Sequence, residues 1–165
     1  MTRPALLLAM LALLALGVPA RAQQESPFSG PGASSAPVEI TADLFEIDTT
    51  GRQAVFSGNV VVSQTGFTLW SERLIVTYGQ GGRSDLQRLS SPGRARIAYG
   101  GQTASGDSAE FDVAGRVLTI SGNVEVESPA GNFVGPLLVI DFARGTTSFG
   151  GGGGGRVTGT FTPGG

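Results

Sequence analysis

The chain has 165 residues and a formal charge of −2, with 27 glycines, no cysteine and no histidine. Disulfides and thiolate chemistry are therefore excluded, and the commonest general base and zinc ligand is missing. All 11 basic residues are arginine, which also rules out Schiff-base lysines and lysine-dependent phosphate loops, and an acidic balance is a poor footprint for nucleic acid.

Residues 1–22 have the form of a secretory signal. Arg3 supplies the positive end, 5–18 is an uncharged apolar run, and Ala20-Arg21-Ala22 is a small-x-small cleavage site. The run is shorter than the roughly 20 residues that span a bilayer. A secreted chain without cysteine suits the periplasm. Residues 23–37 are rich in Ser, Pro and Gly and read as a flexible leader. A single β domain is expected over 38–163.

From Val38 onward, short runs such as Val60-Val61-Val62, Leu74-Ile75-Val76-Thr77-Tyr78 and Val139-Ile140-Asp141-Phe142 alternate between apolar and polar faces, the period-2 mark of strands. Only 85–89 reads as a single helical turn, ended by Ser90-Ser91-Pro92-Gly93. The class is all-β. The glycines of 150–155 read as a flexible loop, 156–161 as a last strand, and 164–165 as a tail.

The chain repeats itself. Ser57-Gly58-Asn59-Val60 recurs as Ser121-Gly122-Asn123-Val124, an offset of 64 (121 − 57), and Asp43, Glu46 and Asp48 meet Asp107, Glu110 and Asp112 without gaps. A supersecondary unit used twice is expected to stack its copies and share one core. Positions apolar in both copies are the core candidates: Ile47/Phe111, Ala54/Leu118, Phe56/Ile120, Val60/Val124, Val62/Val126, Leu74/Leu138, Val76/Ile140 and Tyr78/Phe142. Glu46/Glu110, Asp48/Asp112, Val61/Glu125 and Thr77/Asp141 fall between them and face water. Gly58-Asn59 and Gly122-Asn123 fit bends in a strand better than tight hairpins, which favour the reverse order. The inward set leaves two readings open: a dry sandwich core, or an interior open enough for a lipid chain.

The doubled acidic set is the only candidate for chemistry, since paired carboxylates run glycoside hydrolysis or hold Ca²⁺. The simpler reading is a solvent face, with Asp48 and Asp112 in Asx-type turns before Gly51 and Gly115. No catalytic residue, metal or cofactor is assigned. Trp70 aligns with Val134 and suits a rim or a sugar-stacking platform. Arg73, Arg94, Arg96 and Arg144 form no dense patch, and Asp85 with Arg83 and Arg88 reads as surface charge.

The ordered series Val38-Glu39-Ile40-Thr41-Ala42-Asp43, Phe56-Ser57-Gly58-Asn59-Val60, Leu74-Ile75-Val76-Thr77-Tyr78 and Arg156-Val157-Thr158-Gly159-Thr160-Phe161 resembles the OstA-like family. The resemblance implies a twisted, V-shaped antiparallel β-jellyroll of about sixteen short strands, with an apolar groove between two sheets. It further implies a periplasmic, non-enzymatic carrier that shields lipopolysaccharide acyl chains on the way from inner to outer membrane. By residue match, Val38, Ile40, Ile97, Phe111 and Val113 fall at lipid-facing positions; the repeat adds Ile47, Phe56, Leu118 and Ile120. Val38 and Ile40 at one edge, and Val157 and Phe161 at the other, would pair with LptC-like and LptD-like jellyrolls or, head to tail, with another copy. Alternatives are a structural envelope β-protein with a closed core, an LptC-like component of the same machine, and, last, a glycosidase or lyase on a repeated scaffold.

Overall fold

The computed structural model describes residues 36–82, 85–150 and 155–161. The signal at 1–22, the leader up to residue 35, Arg83, glycines 151–154 of the glycine loop and the stretch 162–165 lie outside the described residues.

Among the described residues, ten antiparallel strands form one hydrogen-bonded sheet. They are β1 (Glu39–Thr41), β2 (Leu44–Asp48), β3 (Gln53–Gln64), β4 (Phe67–Tyr78), β5 (Leu86–Tyr99), β6 (Gln102–Asp112), β7 (Val117–Ser128), β8 (Gly131–Asp141), β9 (Thr146–Phe149) and β10 (Thr158–Phe161). The order across the sheet is β1-β3-β4-β5-β6-β7-β8-β10, with β2 also beside β3 and β9 also beside β8. The stretch 85–89, whose pattern also suited one helical turn, leads into β5 in keeping with the all-β class. The alternation there pairs with β4 through Ile75↔Ser90 and Val76↔Leu89, and sheet pairing outweighs a single turn's propensity.

Strands β3 to β8 are long, and each changes register near its middle. The shifts fall between Ser57 and Val60, Ser71 and Ile75, Pro92 and Ala95, Ser105 and Ser108, and Ser121 and Val124. On β8 the pairing skips Pro136, passing from Ser121↔Leu137 to Val124↔Gly135. These irregularities lie side by side, so they form one crease across the sheet. The crease divides it into two leaves that face each other. Both outer strands are broken: β1 from β2 at Ala42-Asp43, and β9 from β10 between Phe149 and Thr158. Among the described residues, the roughly sixteen short strands that the resemblance implied are ten longer ones, and the two sheets of the jellyroll are the two leaves of one folded sheet. Hydrogen bonding runs on through each bend, because a bulge bends a strand without ending it.

The repeat explains the crease. Gly58 and Asn59 have φ of 75° and 46°, and Gly122 and Asn123 have 73° and 45°. Asn is among the few side chains that tolerate this left-handed region. Asn59 Nδ2 donates to Asp43 Oδ2 at 2.8 Å, and Asn123 Nδ2 to Asp107 Oδ2 at 2.7 Å. The same carboxylates require glycine beside them: a Cβ on Gly58 would lie 2.5 Å from Asp43 Oδ2, and one on Gly122 2.6 Å from Asp107 Oδ2. The core lies between the leaves, with Val60, Leu74, Ile120 and Val124 fully buried. Of the eight paired core candidates, Ile47 departs: it points inward from the outer strand β2 but is 49% exposed, because no strand lies beyond it.

Candidate functional site

Cross-strand pairing carries the inward side chains from one edge of the sheet to the other in continuous rows. In one leaf the row runs Ile40, Val62, Leu69, Ile97, Ala104, Val126 and Phe133. In the facing leaf a row runs Ile47, Ala54, Val76, Leu89, Phe111, Leu118 and Ile140. Paired residues on a pleated sheet share a face, so from the first strands to β8 the space between the leaves is lined mainly by apolar side chains. It holds a cavity of about 300 Å³ on the β1 side and one of about 180 Å³ on the β10 side. Phe67, Ile97 and Leu118 line both and form the partition. Far from the crease the leaves meet again, where Tyr99 lies edge-on to Phe142 at 6.5 Å between ring centroids and Phe142 meets Phe111 at 6.2 Å.

The residues singled out in the sequence are gathered by this groove. Val38, Ile40, Phe56, Ile97, Phe111, Val113 and Leu118 line the larger cavity, and Ile97, Leu118 and Ile120 the smaller. Ile47 lines neither and stands at the open end of its row. Ile40 lies on β1 and Phe161 on β10, the two ends of the sheet path, with Val38 and Val157 just before those strands. Phe161 is 66% exposed.

Sequence reasoning missed that each leaf has its own pair of edges. In the second leaf these are β2 and β9. Phe45 on β2 stacks on Phe56 at 4.6 Å, and Phe149 on β9 packs edge-on against Phe133, which also meets Phe161. The alternation Phe45-Glu46-Ile47 was the available signal. Phe67 escaped because its counterpart at the 64-residue offset is Gly131, so a test for apolar character in both copies discards it.

The acidic residues do not converge on the groove. Asp43 and Asp107 clamp the bends. Asp48 Oδ1 accepts from the N–H groups of Thr50 and Gly51, both at 2.9 Å, and Asp112 Oδ1 accepts from Gly115, as Asx turns do. Glu110 borders the larger cavity, but its pairing with Ser90 and Thr119 turns its side chain to the outer face, with Arg88 Nε 3.5 Å from its carboxylate. Trp70 is also on the outer face, 41% exposed, with the Arg96 guanidinium 6.0 Å from its ring centre. Arg73, Arg94, Arg96 and Arg144 are exposed, and Arg144 pairs with Asp141 at 3.3 Å.

Comparison with known proteins follows the same lines. The profile of the family described as "LptA/(LptD N-terminal domain) LPS transport protein" matches residues 39–146. A protein of Rhizobium meliloti strain 1021 described as uncharacterized is 29% identical over 120 residues, covering 68% of this chain and 64% of that protein. The lipopolysaccharide export system protein LptA of Escherichia coli K12 is 24% identical over 132 residues, 76% of this chain and 67% of that protein. The chain thus spans about two thirds of these relatives' length. Among solved structures, the periplasmic LptA homologue LptH of Pseudomonas aeruginosa superimposes with a TM-score of 0.67 at 21% identity, over 78% of this chain and 96% of that one. That likeness establishes the LptA-like β-jellyroll fold.

Proposed function

The chain belongs to the LptA/LptD N-terminal family of lipopolysaccharide transport proteins, which are carriers rather than enzymes, and from this we propose that it is a periplasmic bridge that shields lipopolysaccharide acyl chains between the inner and outer membranes. The observation that carries the reading is the largely apolar space between the leaves, two cavities parted only by Phe67, Ile97 and Leu118, with half-exposed Phe45 and Ile47 at one end and Phe161 at the other.

The physics fits the task. Acyl chains in water cost about 25 cal/mol for each Å² of apolar surface, and an apolar groove removes that cost while a charged headgroup stays outside. The hydrophobic term has no direction, so chains slide without one fixed pose. The larger cavity, about 300 Å³, is at the low end for a small-molecule site. A lipid with several chains therefore enters by parting the leaves, against the ring contacts of Phe142 with Tyr99 and Phe111. Val38, Ile40, Ile47, Phe56, Ile97, Phe111, Val113, Leu118 and Ile120 are the proposed lipid-facing residues.

End-to-end pairing with LptC-like and LptD-like jellyrolls, or with another copy, has support inside the chain. The 64-residue offset places β1 and β2 on the two halves of β6. Pairing to β4 and β8 likewise makes β9 and β10 the counterparts of the two halves of β5. The β5–β6 ladder is thus the junction that a C-terminal edge and an N-terminal edge would form between molecules. Transferring its register sets Phe161 opposite Val38, Thr160 opposite Glu39 and Thr147 opposite Ile47. The inward face would then continue from one jellyroll into the next, the two rows crossing the junction at Gly159 and Thr147.

The test is photo-crosslinking with lipopolysaccharide. A photoreactive side chain at Phe111 or Phe56 is expected to yield a lipid-bearing band, and one at Glu110 is not. A folded protein with no band from either inward position would instead be a structural protein with a dry core.

A further inference from the structure

Among the described residues, the groove wall holds a buried polar atom without a hydrogen-bond partner. Ser91 is 2% exposed, and its Oγ has no hydrogen-bond partner among the described residues. It lies on β5 at the edge of the crease, midway across the sheet, and lines the larger cavity. Its row continues through Ala109, Ile120 and Leu138, all buried and apolar. Other serines along the crease are engaged: Ser71 Oγ donates to the Arg73 carbonyl at 3.2 Å, and Ser108 and Ser121 share a hydrogen bond at 2.8 Å. An alanine fits the same row, as Ala109 beside it shows, so size does not call for serine. A buried hydroxyl left unpaired destabilises the fold that carries it.

We infer that Ser91 Oγ is the polar recognition point of the groove, and that the bound lipid carries an oxygen along its chain, a hydroxyl or an ester, that meets it. This rests on reading the groove as a lipid site. A hydroxyl in an apolar wall adds little for a plain hydrocarbon, which leaves it unpaired, but forms a full bond with an oxygenated chain. A site built to bond an oxygen discriminates against the analogue that lacks it. The hydrophobic walls supply affinity and Ser91 supplies preference.

The experiment is calorimetric titration of the secreted chain with octadecanoic acid and with a set of monohydroxylated octadecanoic acids whose hydroxyl sits at successive chain positions. All carry the same carboxylate. The wild type is expected to bind at least one hydroxylated chain about threefold to tenfold more tightly than the plain one. Ser91→Ala is expected to lose that preference through weaker binding of the hydroxylated chain, and to unfold at the same or a higher temperature. A preference that survives in Ser91→Ala, or no preference in the wild type, overturns the inference while leaving the groove reading intact. Failure of every probe to bind folded protein overturns the groove reading beneath it.

Discussion

The crease makes a demanding prediction, because the chain carries it twice. Asn123 sits at φ 45° and donates to Asp107 at 2.7 Å; Asn59 sits at 46° and donates to Asp43 at 2.8 Å. Replacing Asn123 by Ala removes a hydrogen bond between exposed groups, worth about 0.5–1 kcal/mol. It also places an ordinary side chain in the left-handed region, at about 1 kcal/mol more than Asn. The sum is about 1.5–2 kcal/mol, or roughly 5–8 °C in Tm for a domain of this size. Asn123→Gly loses the same bond but relieves the backbone, so it should fall within about 0.5 kcal/mol of wild type. Asn59→Ala and Asn59→Gly should repeat both values. The assay is urea and thermal unfolding followed by circular dichroism, with Asp107→Ala combined with Asn123→Ala to close a double-mutant cycle. Equal losses for the Ala and Gly variants would refute the backbone argument, and a cycle without coupling would refute the clamp.

Two further outcomes follow from the rows and the edges. Ile120→Ala, at a position with no exposure, should cost about 3–4 kcal/mol, whereas Ile47→Ala, half-exposed on β2, should cost less than about 1 kcal/mol; similar shifts in urea midpoint would mean the interior is not packed as these rows require. For assembly, the chain has no native cysteine, so engineered pairs report without background: Thr160→Cys in one copy should oxidise onto Glu39→Cys in another and not onto Thr41→Cys, and the opposite pattern would discard the register taken from β5 and β6.

Strand character is legible wherever alternation is strong, as in β3, β4, β7 and β8, and the 64-residue repeat marks most of the inward face. The bends at Gly58-Asn59 and Gly122-Asn123 were also readable, since Gly and Asn are the residues that tolerate a left-handed backbone. Local residue chemistry determines these features, so it can be read locally. Partnership across the sheet is not local. Asp43 and Asp107 looked like chemistry or solvent face, and only tertiary structure set each against the Asn sixteen residues further on. The stretch 85–89 looked helical because its strand partner, Ile75 to Tyr78, lies on another hairpin arm. Ile47 read as core because its counterpart Phe111 is covered on both sides, whereas β2 has a neighbour on only one. Ser91 had no distinguishing pattern in Ser90-Ser91-Pro92. Its significance comes from the apolar row into which the register delivers it. The sequence by itself determined the class, the repeat and the inward face, because periodicity and turn chemistry act over a few residues. The tertiary structure decided which faces are closed and which ends stay open, because burial depends on neighbours that pairing brings from far along the chain.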